Sequence, residues 1–155
     1  MKLNIRKACD SDFSEILNMI KELALFEKAP EKVTNSVEQM INEKELFGCF
    51  VAENENNEII GMALYFFAYY TWVGKSLYLD DIYVKKEYRG NKVGSALMKK
   101  IFEVAIVENC NRVRWQVLKW NSPAIEMYKK INATIDGEWY NCDFDKTGIQ
   151  NFNFE

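Results

Sequence analysis

A mixed α+β fold follows from three features of this 155-residue chain. The first half carries β-branched and aromatic runs at 47–52, 59–70 and 76–84, joined by short polar turns in the pattern of an antiparallel meander. The second half switches to a helical run at 94–108 followed by an alternating segment, the signature of a βαβ element. A composition of 48% apolar and 28% charged residues over this length fits one domain with one core. The predicted order is β-α-α-β-β-β-α-β-α-β, a mixed, mostly antiparallel sheet flanked by helices, in a single domain over 1–155.

Leu3, Ile5 and Lys7 alternate as an opening strand. Asp10-Ser11-Asp12 supplies N-cap chemistry, after which Phe13, Ile16, Leu17, Ile20 and Leu23 recur at helical spacing until Pro30 closes the helix. Ser36 and Gln39 have the capping-box spacing of a second helix. Phe47–Ala52 reads as a strand, Glu53–Asn57 as its turn, Ile59–Tyr70 as a long strand, and Ser76–Val84 as the next. Gly94–Glu108 places Leu97, Ile101, Val104 and Ala105 on one helical face. Val113, Trp115 and Val117 alternate as a strand. Ser122-Pro123 sets an N-cap before a first-turn proline, opening a helix to about Ile131. Trp139–Phe144 reads as a last strand. Phe152 and Phe154, near the acidic end, suit either a partner contact or a loose terminus.

Composition removes whole classes of chemistry. The chain has no histidine, which excludes Ser-His and Cys-His nucleophiles and imidazole bases and argues against most zinc sites. Cys9, Cys49, Cys110 and Cys142 lie more than 30 residues apart, so no C-x-x-C pair supports a metal or thiol-redox site, and free thiols are expected. A net charge of −3 argues against a nucleic-acid binder. Charge is nonetheless uneven: 85–100 holds six bases and one acid, and 136–155 holds five acids and one base. Met1–Lys7 alternates and carries charge, unlike an apolar leader, and the uncharged run 59–74 is too short and too rich in tyrosine to cross a bilayer. A soluble, cytoplasmic chain is expected.

The most informative segment runs from Tyr78 to Gly94: a strand, a short basic loop with two glycines, then a helix. Free N–H groups and the positive dipole end at a helix start attract phosphate, and glycine lets the backbone approach it closely. The same residues also suit a solvated turn whose glycines supply φ > 0. Neither G-x-x-x-x-G-K-[ST] nor G-x-G-x-x-G is present, so a phosphate cradle here is of a third kind.

Leu77-Tyr78-Leu79-Asp80-Asp81-Ile82-Tyr83-Val84, with Glu87-Tyr88-Arg89-Gly90-x-x-Val93-Gly94, resembles the acetyl-CoA motif of GNAT N-acetyltransferases. Trp120-Asn121-Ser122-Pro123 through Tyr128-Lys129-Lys130 resembles the second half of that fold. Lys21–Glu27 and Tyr65-Phe66-Phe67 through Trp72-Val73-Gly74-Lys75 are similar to the diamine (spermidine/spermine) branch. The likeness spans residues 2 to about 142.

The resemblance implies acetyl transfer from acetyl-CoA to a primary amine, without a metal or covalent enzyme intermediate, in a homodimer. It implies that Ile82, Tyr83 and Val84 pair with the pantetheine arm, that the loop Arg89, Gly90, Asn91, Lys92, Val93, Gly94 and Ser95 holds the pyrophosphate, and that Asn121 contacts the cofactor further along. Tyr128 would be the general acid for the departing thiolate. Asp80 stands at the base position, and a carboxylate acting through water suits an amine of pKa about 10 in a chain lacking histidine. Phe26, Glu27, Tyr70, Trp72, Asp80 and Glu138 are the candidate substrate contacts. Strand alternation assigns Asp80 to the face of Tyr78, Ile82 and Val84, and Asp81 to the other. Read without the resemblance, Tyr128 is also ordinary helix packing, Asp80-Asp81 an exposed strand-end pair, Glu27 a helix-end charge, and Trp72 a pocket or core wall.

Four departures from the family pattern matter. Lys92 replaces a glycine after Arg89. Asp80 replaces a glutamate, one methylene longer. Asn132 replaces a glycine, a mild change because Asn tolerates a left-handed helix end. Tyr70 replaces an aspartate of the polyamine enzymes, which makes a lysine-like amino acid as good a substrate as a polyamine. Alternatives are a non-catalytic acyl-CoA-binding module and an acetyltransferase acting on protein lysines or N-termini.

Overall fold

The computed structural model describes residues 2–153. They divide into two compact units, one up to Gln116 and one from Val117 onward.

The first unit is built on a five-stranded sheet in the order β1 (Asn4–Lys7), β2 (Gly48–Glu53), β3 (Ile59–Tyr70), β4 (Gly74–Val84) and β5 (Arg112–Arg114). The first four strands pair antiparallel, and β5 joins parallel to Ser76–Tyr78. This is the meander plus βαβ unit that the hydrophobic pattern predicts, although β5 is shorter than the alternation through Val117. The helices are α1 (Phe13–Phe26), α2 (Val37–Asn42) and α3 (Val93–Val107).

Strand alternation supplies two apolar faces. Phe13, Ile16, Met19 and Met40, from α1 and α2, close over Cys49, Val51, Met62 and Tyr83. On the other face α3 buries Val93, Leu97 and Ile101. There a Cβ on Gly61 would stand 3.3 Å from Leu97 Cδ1 and 2.9 Å from the Tyr83 carbonyl oxygen, so glycine lets the helix approach. Ile16, Leu97 and Ile101 are wholly buried, each contributing about 1.5–3 kcal/mol.

A charged knot ties β1 to the turn before α1. Arg6 reaches Asp12 at 2.6 Å and Glu53 at 2.6 Å. The Arg6 guanidinium, with the Cys9 backbone N–H, holds the Asp12 carboxyl down to about 2 against its burial.

Several boundaries differ from expectation. Asp10–Asp12 forms a 3-10 turn, and Asp12 is spent on Arg6 and Cys9 rather than on capping α1. The first helix stops at Phe26, ahead of Pro30, with Lys28 left-handed at φ 62°. Ser36 caps α2 by accepting from the Gln39 N–H, but the Gln39 side chain donates to Glu43, so only half of the capping box forms.

The second unit holds α4 (Ser122–Lys130) and α5 (Lys146–Gln150). Asn121, not Ser122, caps α4, its Oδ1 accepting from the Ala124 N–H at 3.4 Å. The strand expected at Trp139–Phe144 does not form: no strand pairs with it among the described residues, and Trp139 and Tyr140 are exposed. Helix α5 was not expected; Asp145 caps it through the Gly148 N–H at 2.7 Å. Phe152 packs edge-on against Phe144, ring centroids 5.9 Å apart, whereas Phe154 lies outside the described residues. All four cysteines are free. Among the described residues no helix is long and apolar enough to cross a membrane.

Candidate active site

A β-bulge organises the site. Leu64 pairs with Asp81 and Tyr65 with Leu79, so Asp80 is an extra residue in β4. A bulge re-aims side chains, and here it overturns the alternation expected for the two acids. Asp81 takes the face of Tyr83 and Met62, while Ile82 and Val84 point toward α3. Asp80 and Asp81 both line one hollow of about 200 Å³, walled by Ile20, Met40, Phe47 and Leu64.

Neither carboxylate has a hydrogen bond or ion pair among the described residues. Burial and the neighbouring charges of Asp80 and Glu27 push the Asp81 carboxyl up to about 7. Asp80 keeps more of its surface in solvent, yet crowding still raises its carboxyl. Glu27, just past the end of α1, is also pushed up by burial. Asp80, Asp81 and Glu43 line the hollow with no Lys or Arg among its lining residues, and Glu27 adds its charge within electrostatic reach of Asp81, which suits an incoming ammonium group. Burial pushes the nearby Cys49 thiol up to about 12, too high for a nucleophile.

At the other end of β4 the chain turns into the phosphate-cradle candidate. Arg89 is held in three ways: its Nε donates to the Val84 carbonyl at 2.9 Å, and its guanidinium lies 5.4 Å from the Tyr83 ring centre and 5.8 Å from that of Phe26. Tyr83 in turn donates its hydroxyl to Glu22 at 2.9 Å. Gly90 has φ 81° with nothing within 4 Å of a would-be Cβ, and Lys92 sits at φ 63° immediately before α3. No side chain caps α3, so the N–H groups of Val93, Gly94 and Ser95 are free of a capping oxygen. The Asn91 side chain folds back on the Tyr88 and Arg89 carbonyls at 3.2 and 3.4 Å. Because β5 pairs only with Ser76–Tyr78, the edge of β4 beyond Tyr78 has no strand partner among the described residues.

A profile described as the acetyltransferase (GNAT) family matches residues 13–133 of this chain. The chain belongs to the GNAT acetyltransferase family. Thialysine N-epsilon-acetyltransferase of Sus scrofa is 41% identical over 155 residues, covering 91% of each chain. Human spermidine/spermine N(1)-acetyltransferase-like protein 1 is 29% identical, over 97% of this chain and 24% of its own. Among solved structures, a possible acetyltransferase from Clostridium difficile 630 superposes with a TM-score of 0.76 at 22% identity, over 94% of this chain and 99% of the other. Acetyl-CoA as cosubstrate follows from membership of the GNAT family.

Within this GNAT chain, the candidate residues fall into separate groups. Asp80 and Glu27 belong to the acidic group around the hollow, and Phe26 lies beneath Arg89. Ile82, Tyr83 and Val84 run along the unpaired edge of β4, leading to the loop from Arg89 to Ser95. Tyr70 lies at the far end of β3, opposite Gly74, and Trp72 is 84% exposed on the turn beyond it. The register carries Trp72 away from the bulge: Tyr70 alone is six residues, about 20 Å, beyond Leu64.

The second unit holds three further candidates. Tyr128 is the buried residue of α4, and burial pushes its phenol up, keeping it protonated at neutral pH. Asn121 is the cap of that helix. Glu138 is exposed, with its backbone N–H donating to Asp136 at 2.9 Å. The pairing of Asp81 with Asp80 was not legible from the alternating pattern, because a bulge leaves no period-two trace.

Proposed function

We propose that this protein transfers the acetyl group of acetyl-CoA to a primary amine of a small cationic substrate, a lysine-like amino acid or a diamine. The observation that carries the reading is the Asp80 bulge, which turns two unpaired carboxylates into one hollow in a chain of the acetyltransferase family. The thialysine acetyltransferase relatives support the lysine-like choice.

Acetyl-CoA supplies a reactive acetyl thioester and a thiolate leaving group. The unpaired edge of β4 offers its backbone groups at Ile82, Tyr83 and Val84 to the amide-bearing arm. Arg89 and the N–H groups of Val93, Gly94 and Ser95 bind the pyrophosphate, and Lys92 adds a positive charge beside them. Asn121 contacts the arm further along. Glu27, Asp80 and Asp81 draw in the ammonium, with Phe26 and Glu138 as outer contacts; Tyr70 and Trp72, at the far end of β3, lie too far along the sheet to join them. The Asp80–Asp81 pair takes the proton that frees the nitrogen lone pair. Asp81, titrating near neutrality, is the better-tuned member. As the C–S bond breaks, Tyr128 gives its proton to the sulfur.

The family profile runs across the junction between the two units, which supports a single functional domain over 1–155. We read the working form as a homodimer.

The test is thiol release from acetyl-CoA with spermidine, putrescine, lysine, thialysine and a lysine peptide, with Tyr128→Phe alongside. Amine-dependent release that falls about a hundredfold in the variant is expected for a lost general acid. Tight acetyl-CoA binding without release for any amine would replace this reading with a binding role. Preference for the peptide would point to a protein substrate.

A further inference from the structure

One face of α1 runs along the exit of β4. Glu15, Glu22 and Phe26 follow each other at intervals of seven and four residues, so they share a helical face. Each meets a residue at the end of β4 or just beyond it. Glu15 pairs with Lys85 at 2.6 Å, Glu22 accepts the Tyr83 hydroxyl at 2.9 Å, and the Phe26 ring centre lies 5.8 Å from the Arg89 guanidinium. The first contact does not involve Arg89. The other two converge on it, because the guanidinium also lies 5.4 Å from the Tyr83 ring centre.

Arg89 needs such support. Its Nε is engaged by the Val84 carbonyl at 2.9 Å, so a phosphate is met by the two terminal nitrogens. That two-point contact works in one orientation of the guanidinium plane. The loop is a poor anchor for the plane: Arg89 and Gly90 are exposed, and Gly90 turns at φ 81°. The contacts that hold the side chain come instead from Val84, Tyr83 and Phe26. Tyr83 is only 8% exposed, and by donating to Glu22 it leaves its oxygen lone pairs to the cation. Burial and the Glu22 bond push its phenol up, while Arg89 draws it down. Without Glu22 the hydroxyl proton is free to rotate toward the guanidinium and turn attraction into repulsion.

We propose that Glu22 and the Tyr83 side chain are positioning residues for the cosubstrate: Glu22, through Tyr83, holds Arg89 in the plane that meets the pyrophosphate of acetyl-CoA, and Phe26 braces it from α1. The last turns of α1 thereby belong to the cosubstrate site, although they carry no phosphate motif. Glu22 acts through Tyr83 and makes no contact of its own with the phosphates, which a carboxylate would repel. This rests on the acetyl-CoA reading of the loop above and adds what orients its arginine.

The test compares acetyl-CoA with S-acetylpantetheine, the same thioester arm cut short of the pyrophosphate, using the amine of the panel above that is acetylated fastest. The quantity read is the ratio of kcat/KM for the two donors. It is measured in the wild type, Glu22→Leu, Tyr83→Phe, Arg89→Met and Glu22→Leu/Arg89→Met, with Glu15→Leu as a control on the same helix face. Arg89→Met should lower the ratio roughly tenfold or more, as a charge-assisted contact predicts, and Glu22→Leu and Tyr83→Phe should each lower it roughly threefold to tenfold. Turnover of S-acetylpantetheine should be unchanged in Glu22→Leu, and Glu22→Gln, which keeps an acceptor oxygen, should hold most of the ratio. Once Arg89 is gone, Glu22→Leu should lower the ratio no further. Glu15→Leu should leave it alone, and general damage to the fold cancels because it falls on both donors. An unchanged ratio in Glu22→Leu, an equal loss in the Arg89→Met background, or the same loss in Glu15→Leu overturns the proposal. If neither donor is turned over with any amine, the acetyltransferase reading fails by itself. Calorimetric Kd values for CoA against pantetheine in the same proteins then decide the positioning role by the same criteria.

Discussion

Asp81 shows what one inserted residue does to chemistry. Because Asp80 is the extra residue of the bulge, two acids share a hollow, and the more buried one titrates near 7 instead of near 4. Its charged form is disfavoured in the folded state, so stability is greatest below the unfolded value and falls as pH rises through about 7. Asp81→Asn should therefore be more stable than the wild type at about pH 8, by roughly 2 kcal/mol once solvent contact is allowed for, as denaturant midpoints would show. The same substitution should remove the limb of kcat/KM that rises near pH 7 and lower activity about a hundredfold. Asp80→Asn removes a like charge, so it should move that limb to lower pH. A limb that ignores both substitutions would assign the proton transfer elsewhere. At Lys92 the residue type conflicts with the backbone: a side chain at φ 63° costs about 1 kcal/mol, which Lys92→Gly should recover in a urea titration. The sequence already displayed this conflict, since a glycine suits that position. The acid pair was also visible, but its shared orientation was not, because the bulge depends on how β3 and β4 slide past each other.

Elements with a strong periodic signal lie close to where the sequence put them. Strand β3 matches at both ends, and β4 and α3 match within two residues, because long apolar runs bounded by polar turns leave few alternatives. The misses come from local competition. Asp12 looked like a helix cap and instead joins Arg6; Trp139–Phe144 has strand-forming residues but no neighbouring strand to pair with. The Arg6 knot carries its own expectation. Asp12 is held down to about 2, so the stability it confers is present above pH 4 and lost as pH falls from about 4 to about 2. Arg6→Ala should cost roughly 2 kcal/mol at neutral pH, because it leaves two buried carboxylates unpaired. The penalty should shrink in acid, where those carboxylates are protonated. Thermal melts of both proteins at about pH 7 and about pH 3 would check this; an equal penalty at both would mean that Arg6 acts by packing alone.

Over the whole molecule, the family and the acetyl-transfer chemistry were legible because motifs spread along the chain agree in order and spacing. The arrangement of the acid pair was less legible, since it depends on a bulge that leaves no period-two trace in the sequence. Quaternary structure is carried by no motif. The homodimer proposed here is checked by sedimentation equilibrium, in which a mass near 36 kDa, about twice the 18.2 kDa chain, is the expected result and a monomer at assay concentration the contrary one.

The bare margin of β4 beyond Tyr78 also bears on how the protein keeps in a tube. A row of peptide groups without a neighbour is adhesive: any second extended chain can complete it, and clumping then competes with refolding. The cosubstrate arm would occupy that margin, so acetyl-CoA should act as a preservative as well as a reagent. Added acetyl-CoA at a hundred times its dissociation constant should raise the melting temperature and delay turbidity on warming, the first through about 2.7 kcal/mol of binding linkage. If the melt shifts while turbidity begins at the same time at a fixed temperature, the clumping starts from another surface.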